Sequence, residues 1–275
     1  MSDTLVRILG WKATVLHGDP CVYDRWRWLR RHLSSGPLRT LDVGCGSGAF
    51  TMYAARMGNQ SVGISFDDTN NRKARERARM LGIPGVEFFN ADLRSLPQHG
   101  FELASFDQII CFETIEHIRD DAKFIEDVSC LLKPGGHLLL TTPFKHYRRL
   151  YGDTLSDGAD GGHVRWGYTH AELRELLAPA GIEIVREEYV SGLVTQQLTN
   201  LMRLIAKFSF GSAWGAILPL RLLQSIDRPL TAMTRYPYLS VAIVGIKRPS
   251  PRADSRECRD FHADSIRNRN SCTSV

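Results

Sequence analysis

The sequence predicts an α/β fold, a doubly wound sheet of seven strands with helices on both faces. Short apolar runs alternate with amphipathic helical patterns along most of the 275 residues. Between residues 40 and 50, glycines stand at three alternate positions between an apolar run and a helical pattern, as in the first strand–turn–helix unit of such sheets. The content of 43% hydrophobic and 24% charged residues is typical of a globular protein with a full core.

The glycine turn indicates a ligand that lies against the backbone, because glycine accepts positive φ and has no Cβ. Its pattern is Asp42, one apolar residue, then Gly44, Gly46 and Gly48 around Cys45. Dinucleotide sites favour G-x-G-x-x-G, whereas here the third glycine comes one residue early and an acidic residue precedes the first.

The turn resembles the first motif of the class I S-adenosylmethionine (SAM)-dependent methyltransferases. The resemblance implies a Rossmann-like fold whose last strand is antiparallel, SAM as cofactor and S-adenosylhomocysteine as product. It also implies cofactor contacts from the motif, namely Asp42, Gly44, Cys45, Gly46 and Gly48.

Charge and cysteine usage bound the class of protein. The net charge of +5 is too mild to indicate a nucleic-acid partner, and we expect none. The six cysteines contain no C-x-x-C pair, which favours reduced thiols over a disulfide framework or a zinc site. The N-terminus shows no signal-peptide pattern, so we expect a cytoplasmic protein.

Residues 1–37 form the predicted N-terminal helical cap. Its helix at 22–33 turns Tyr23 and Trp26 towards the core, while the arginines, including Arg25, mostly line a solvated face. As an alternative, Trp11 and His17, together with Tyr23, roof the active site.

The second predicted strand, 61–66, ends at Ser65, where the family usually has a ribose-binding acid. This variant resembles the cyclopropane fatty-acid synthases, which implies that Ser65 and Asn70, beside Phe66, hold the ribose, with Asp67 as a further candidate. Asp67 and Asp68 also suit the N-terminal cap of the basic helix at 69–81, and both roles can hold at once.

The third and fourth predicted strands, 86–89 and 106–112, each end in candidate ligands. The resemblance implies that Asp92 accepts from the adenine amino group and that Leu93 contacts the ring. After the fourth strand, Phe112 and Glu113 are placed to flank the methionine part of the cofactor.

The segment from Glu113 to Ile118 is similar to the E-x-x-E-H segment of ubiquinone-biosynthesis O-methyltransferases. His117 is a candidate general base, because its unperturbed pKa lies near neutrality, although a capping or packing role stays open. A metal held by Glu113, Glu116 and His117 fits no standard zinc spacing, so no metal site is assigned.

A helix at 120–132 leads through a Pro-Gly-Gly turn to a strand at 137–142 and a long loop to about residue 167. We assign the loop to acceptor binding. His163 within it is the second candidate base, with a helix-capping role as the alternative. Thr169 and Glu172 predict a capping box for the helix at 169–177, and strands follow at 182–189 and 239–247.

Residues 191–238 are predicted to form a helical insertion between strands six and seven. One helical face is expected to contain five apolar residues: Val194, Leu198, Leu201, Ile205 and Phe208. The uncharged stretch 208–220 is too short to span a bilayer. We interpret the insertion as a lid or dimer contact, with an interfacial element that touches membrane through 193–226 as the alternative.

The predicted organisation is therefore a core of 38–190 completed by 239–248, the insertion, and a disordered tail at 249–275. The predicted function is methyl transfer from SAM to a small-molecule acceptor, foremost a hydroxyl oxygen of a lipophilic, sugar or secondary-metabolite substrate, by in-line displacement. Two alternatives stay open: a SAM-binding or partner-binding protein without catalysis, and an RNA or protein methyltransferase. Both monomer and homodimer are compatible with the sequence.

Overall fold

A computed structural model describes residues 6, 8–148, 154–156 and 161–249, and the expected tail beyond residue 249 lies outside the described residues. The strands are β1 (Arg39–Val43), β2 (Gln60–Ser65), β3 (Val86–Asn90), β4 (Phe106–Phe112), β5 (Leu132–Pro143), β6 (Ile182–Val190) and β7 (Ser240–Lys247). They form one sheet in the order β3-β2-β1-β4-β5-β7-β6. Strands β1 to β5 pair in parallel, and β7 is antiparallel to β5 and β6, which confirms the expected fold class.

The helices alternate with the strands through the core and then follow one another in the insertion. They are α1 (Lys12–Leu16), α2 (Pro20–His32), α3 (Ala49–Arg56), α4 (Asp68–Met80), α5 (Asp121–Leu131), α6 (His170–Leu177), α7 (Leu193–Ala206), α8 (Phe210–Leu220) and α9 (Asp227–Thr234). Short 3₁₀ helices cover Leu93–His99, Ile115–His117 and Arg221–Ile226. The predicted capping box is present, since Thr169 and Glu172 exchange both hydrogen bonds at the start of α6.

Strand β5 begins earlier than predicted. Leu132 already pairs with Phe106, and an irregularity in register follows before Gln108 pairs with His137. The Pro-Gly-Gly turn therefore lies within the strand rather than ahead of it.

The sheet is buried on both faces, as parallel sheets with helical crossovers are. Leu41 and Ile109 belong to the core cluster on one face, whereas Ile110 and Leu139 belong to the cluster on the other. Side chains of successive strand residues point to opposite faces, and so β4, β5 and β7 each contribute buried residues to both clusters.

The insertion packs on α2 through polar contacts as well as apolar ones. Thr195 Oγ1 donates to Asp24 Oδ2 at 2.6 Å, and Leu198 and Met202 form a small core with α8. Of the five apolar residues on the predicted face, Leu198 is buried and Val194 and Ile205 pack against the same small core, whereas Leu201 and Phe208 are 39% and 88% exposed. The buried face is rotated because it includes threonine and glutamine side chains that pair with α2 and its surroundings.

Two further observations concern the cysteines and the membrane. Cys21, Cys45 and Cys111 are buried free thiols, in line with expectation, whereas Cys130 is disulfide-bonded, contrary to it. Among the described residues, no helix is both long enough and apolar enough to cross a bilayer.

Candidate active site

A cleft of about 390 Å³ opens where β1, β2 and β4 end. Nine residues expected at the site line it: Gly44, Gly46, Ser65, Phe66, Asn70, Asp92, Leu93, Glu113 and His117. Asp67, the further ribose candidate, also lines the cleft, together with four residues that were not expected at the site: Arg94, Thr114, Ile118 and Gly161. The described lining residues include none from the insertion, and none of Trp11, His17 or Tyr23.

The glycine turn is built by positive φ at Gly44, Gly46 and Gly48, of 80°, 50° and 77°. A Cβ on Gly44 would collide with the side chain of Thr114. A Cβ on Gly48 would lie 2.6 Å from Phe88 Cε1, so this glycine allows α3 to approach the sheet rather than a ligand to approach the chain. At Gly46, no other described heavy atom lies within 4 Å of a built Cβ. Gly46 is thus the position at which backbone faces the open cleft.

Asp42 lies behind the turn instead of lining the cleft. Its carboxyl group is 2% exposed, and Oδ2 accepts a hydrogen bond from Thr51 Oγ1 at 2.6 Å. Burial raises the pKa of Asp42 to about 7, although the Thr51 hydrogen bonds act in the other direction. The contact joins β1 to α3, and so it fixes the two elements on either side of the turn.

Two other expected cofactor residues also support the cleft without lining it. The Cys45 thiol is buried against Asn71, with Sγ 3.8 Å from Oδ1. The Phe112 ring packs edge-on against Trp28 and Phe50. Their backbone follows the edge of the site, while their side chains belong to the core.

The end of β2 presents an exposed aromatic ring and several polar groups. Phe66 is 66% exposed, and its ring faces the cleft. Asp67 Oδ1 accepts from the backbone N–H groups of Thr69 and Asn70 at 2.8 and 3.3 Å, so Asp67 caps α4. Asp68 is the first residue of α4 and pairs with Arg72 instead.

Asp92 is held by Arg94, a neighbour two residues along the chain for which no role was expected. The Arg94 guanidinium donates from Nε to Oδ1 at 2.9 Å and from Nη2 to Oδ2 at 2.7 Å. These hydrogen bonds lower the pKa of Asp92 and keep it ionised. Because each carboxylate oxygen accepts more than one hydrogen bond, Asp92 can still accept from an amino group.

Glu113 stands where the glycine turn meets the end of β4. Its φ is 48°, in the left-handed region that non-glycine residues rarely adopt. Oε2 lies 2.9 Å from Arg25 Nη2, and Oε1 accepts from Thr141 Oγ1 at 3.0 Å. The assignment of Arg25 to a solvated face is therefore wrong, since its side chain is only 15% exposed. The guanidinium is buried because the Glu113 carboxylate, from the end of another element, pairs with it.

The two candidate bases lie side by side. The rings of His117 and His163 meet edge to face with their centroids 4.6 Å apart. The backbone N–H of Val164 donates to the Glu116 carbonyl at 3.0 Å, which holds the loop against the segment after β4. Only His117 of the pair is a lining residue of the cleft.

Glu116 lies behind the histidines and is fully buried. Its Oε2 accepts from Thr142 Oγ1 at 3.1 Å. Burial raises the pKa of Glu116 well above its usual range, and the charge of Glu113 adds to this effect. Nothing in the spacing of the sequence indicated that this carboxyl group would meet a histidine from the later loop.

Comparisons with known proteins agree with this geometry. A family model described as a methyltransferase domain matches residues 34–208. The ubiquinone biosynthesis O-methyltransferase of Acinetobacter baylyi is 30% identical over 43% of this chain and 49% of its own length. A probable SAM-dependent methyltransferase of Mycolicibacterium smegmatis is 32% identical over 52% of this chain and 51% of its own length. The chain thus spans about half the length of the curated relatives it matches.

Solved structures share the fold. A SAM-dependent methyltransferase from Mesorhizobium loti matches with a TM-score of 0.55 and 20% identity, covering 84% of this chain and 99% of its own. The [4+2]-cyclase SpnF matches with a TM-score of 0.56 and 23% identity, covering 83% and 82%. A phosphoethanolamine N-methyltransferase of Haemonchus contortus, solved with SAM, matches with a TM-score of 0.55 and 19% identity, covering 90% and 58%. These titles name different reactions, so the fold alone does not fix the acceptor.

Proposed function

Because the chain belongs to the class I SAM-dependent methyltransferase family, we propose that it methylates a hydroxyl oxygen of a small-molecule acceptor. Bound SAM supplies an electrophilic methyl group. The protein's own tasks are then to hold the cofactor, align the acceptor, exclude water and take up the acceptor's proton.

The residues at the glycine end of the cleft suit the cofactor. Gly46 leaves open space beside the backbone, and Phe66 and Leu93 offer apolar surface to a base. Ser65 and Asn70 offer polar groups to a ribose. Asp42, Cys45, Gly48 and Phe112 are proposed to act on this site by shaping it from behind.

The observation that carries the proposal is the position of His117 in the wall of the same cleft as the glycine turn. A group that can accept a proton thus lies beside the space next to the cofactor site, with His163 against it. Ile118 adds apolar surface there, which favours a lipophilic acceptor. The oxygen acceptor named for the Acinetobacter baylyi relative supports the choice of oxygen.

The test is an acceptor panel of hydroxylated aromatic and isoprenoid compounds incubated with SAM, with S-adenosylhomocysteine and product measured by mass spectrometry. We expect an O-methylated product whose formation falls at least about 100-fold in His117→Ala, in line with general-base catalysis. His137→Ala, at a half-buried position within β5 that does not line the cleft, is the matched control. A product methylated on nitrogen or carbon would contradict the proposal. SAM binding without turnover on any acceptor would favour the non-catalytic alternative.

We also propose that the insertion touches an anionic membrane surface. Leu201 and Leu204 are exposed apolar residues of α7, and exposed Phe208 and Phe210 follow them, between the two helices and at the start of α8. Exposed Arg203 and Lys207 lie on the same stretch of chain, so the charge complements anionic lipid.

Flotation with anionic vesicles tests this contact. The protein should float, and the pair of changes Phe208→Ser and Phe210→Ser should reduce flotation about tenfold or more, since each ring buries substantial apolar area. Met233→Ser, an exposed apolar residue on α9, is the control. The membrane contact would be refuted if the double variant floated as well as the wild type, or if the wild-type protein did not float at all.

A further inference from the structure

A buried carboxylate and two imidazoles converge beside the cleft. One ligand atom from each of Glu116, His117 and His163 lies within 4.8 Å of the others. Glu116 and His117 come from the short 3₁₀ helix after β4, while His163 comes from the later loop. The sequence offered no spacing motif for this cluster, because the third member is supplied by tertiary structure.

The polar atoms of the cluster are incompletely used. Within the described part of the chain, neither Glu116 Oε1 nor His117 Nδ1, both buried, has a hydrogen-bond partner. An orphaned buried oxygen on a fully buried carboxyl group is costly, and such groups usually face a proton, a water or an ion. Oε1 faces His117, whose Nε2 is 3.9 Å away.

The surrounding structure fixes the cluster in place. The second oxygen of Glu116 is held by Thr142, which leaves Oε1 directed at the histidines. The loop with His163 is tied to the segment after β4, because Arg165 Nη2 donates to the carbonyls of Ile118 and Arg119 at 2.9 and 2.7 Å. Outer contacts of this kind orient the ligands of metal sites.

We propose that Glu116, His117 and His163 bind a divalent transition-metal ion. Two imidazoles and one carboxylate suit Zn²⁺, Mn²⁺, Fe²⁺ or Co²⁺, whereas Mg²⁺ and Ca²⁺ prefer all-oxygen sites. Small side-chain rotations bring ligand atoms to the separation of about 3.4 Å expected when metal–ligand bonds are about 2.1 Å.

The position of the ion defines its role, and this part rests on the proposed function. Glu116 is buried behind the site and His117 lines the cleft, so the open coordination positions face the acceptor. An acceptor hydroxyl bound there would become more acidic and would release its proton to water at the open side of the cleft before methyl transfer. In this proposal His117 and His163 hold a metal ion, and neither acts as a free general base.

The experiment is a Co²⁺ titration of the intact protein without acceptor, followed by visible absorption. We expect one equivalent to bind with d–d bands, and Zn²⁺ to displace it, whereas a large excess of Mg²⁺ does not. Glu116→Gln and His163→Ala should weaken Co²⁺ binding more than the roughly 10- to 100-fold cost of losing a supporting residue. His137→Ala should bind as the wild type does.

A measurement on the wild type guards against variants that do not fold. Zn²⁺ should protect His117 and His163, but not His137, from acylation by diethyl pyrocarbonate, as read by peptide mass spectrometry. Absence of d–d bands together with no protection would overturn the metal site. SAM affinity is measured in parallel by calorimetry, so that loss of the metal site with intact SAM binding is distinguished from failure of the proposed function.

Discussion

Gly46 and Gly48, two residues apart in the turn, should respond differently to the same added methyl group. Gly46→Ala and Gly48→Ala both place a side chain at positive φ, at an expected cost of about 1–2 kcal/mol each. For Gly48, the new Cβ also meets Phe88 and Ala74, which adds about 1–3 kcal/mol of overpacking. For Gly46, the Cβ enters open space on the cleft side of the turn, so the protein itself suffers no clash.

The expected results separate folding from binding. At roughly 2–4 °C per kcal/mol, Gly46→Ala should lower Tm by about 2–8 °C and Gly48→Ala by about 4–20 °C. SAM affinity, measured by calorimetry below both transitions, should fall about 10- to 100-fold in Gly46→Ala, because the methyl group occupies space needed by the ligand. Folded Gly48→Ala should stay within about tenfold of the wild type. Wild-type affinity in Gly46→Ala would refute the assignment of the turn as the cofactor cradle.

The remaining predictions concern single side chains. Because the pKa of Asp42 is raised, the folded protein retains this proton up to about pH 7, whereas the unfolded chain loses it near pH 4, and the free energy of unfolding therefore falls over that interval. In urea melts, the stability of Asp42→Asn relative to the wild type should increase by about 3 kcal/mol from pH 5 to 8. A difference that stays constant with pH would contradict the raised pKa. Arg25→Met should lower the free energy of unfolding by about 3 kcal/mol, because it leaves the Glu113 carboxylate without its guanidinium partner. Adding Glu113→Gln should restore part of that lost stability in the double variant. Additive losses of stability would show that the two side chains are not coupled. Ser65→Asp should keep SAM affinity within about tenfold if this position faces the ribose, and loss beyond about 100-fold would assign the ribose to another group.

Local patterns were predictable from the sequence. The capping box of Thr169 and Glu172 depends on residues three apart, and the glycine turn depends on contiguous positions, so both could be identified without tertiary information. The doubly wound sheet with an antiparallel last strand was implied by the resemblance that the glycine turn carries, and the observed strand pairing agrees with it.

Long-range pairings were not predictable. Arg25 lies in an arginine-rich helical segment of the kind that usually faces solvent, and only the fold brings Glu113 to it. Likewise, Leu201 and Phe208 continue an apolar spacing, but contacts of α7 with α2 and α8 decide which side is buried. The convergence of His163 on Glu116 depends on a loop whose path no local pattern encodes.

Helix α2 has two adjacent residues that face different parts of the molecule. Asp24 accepts from Thr195 of the insertion, and Arg25 pairs with Glu113 at the cleft. One rigid segment therefore joins the outer helices to the wall of the methyl-transfer chamber. A ligand that displaced the outer helices would strain the same backbone that positions Glu113, and by reciprocity we expect occupancy of the chamber to influence the position of those helices.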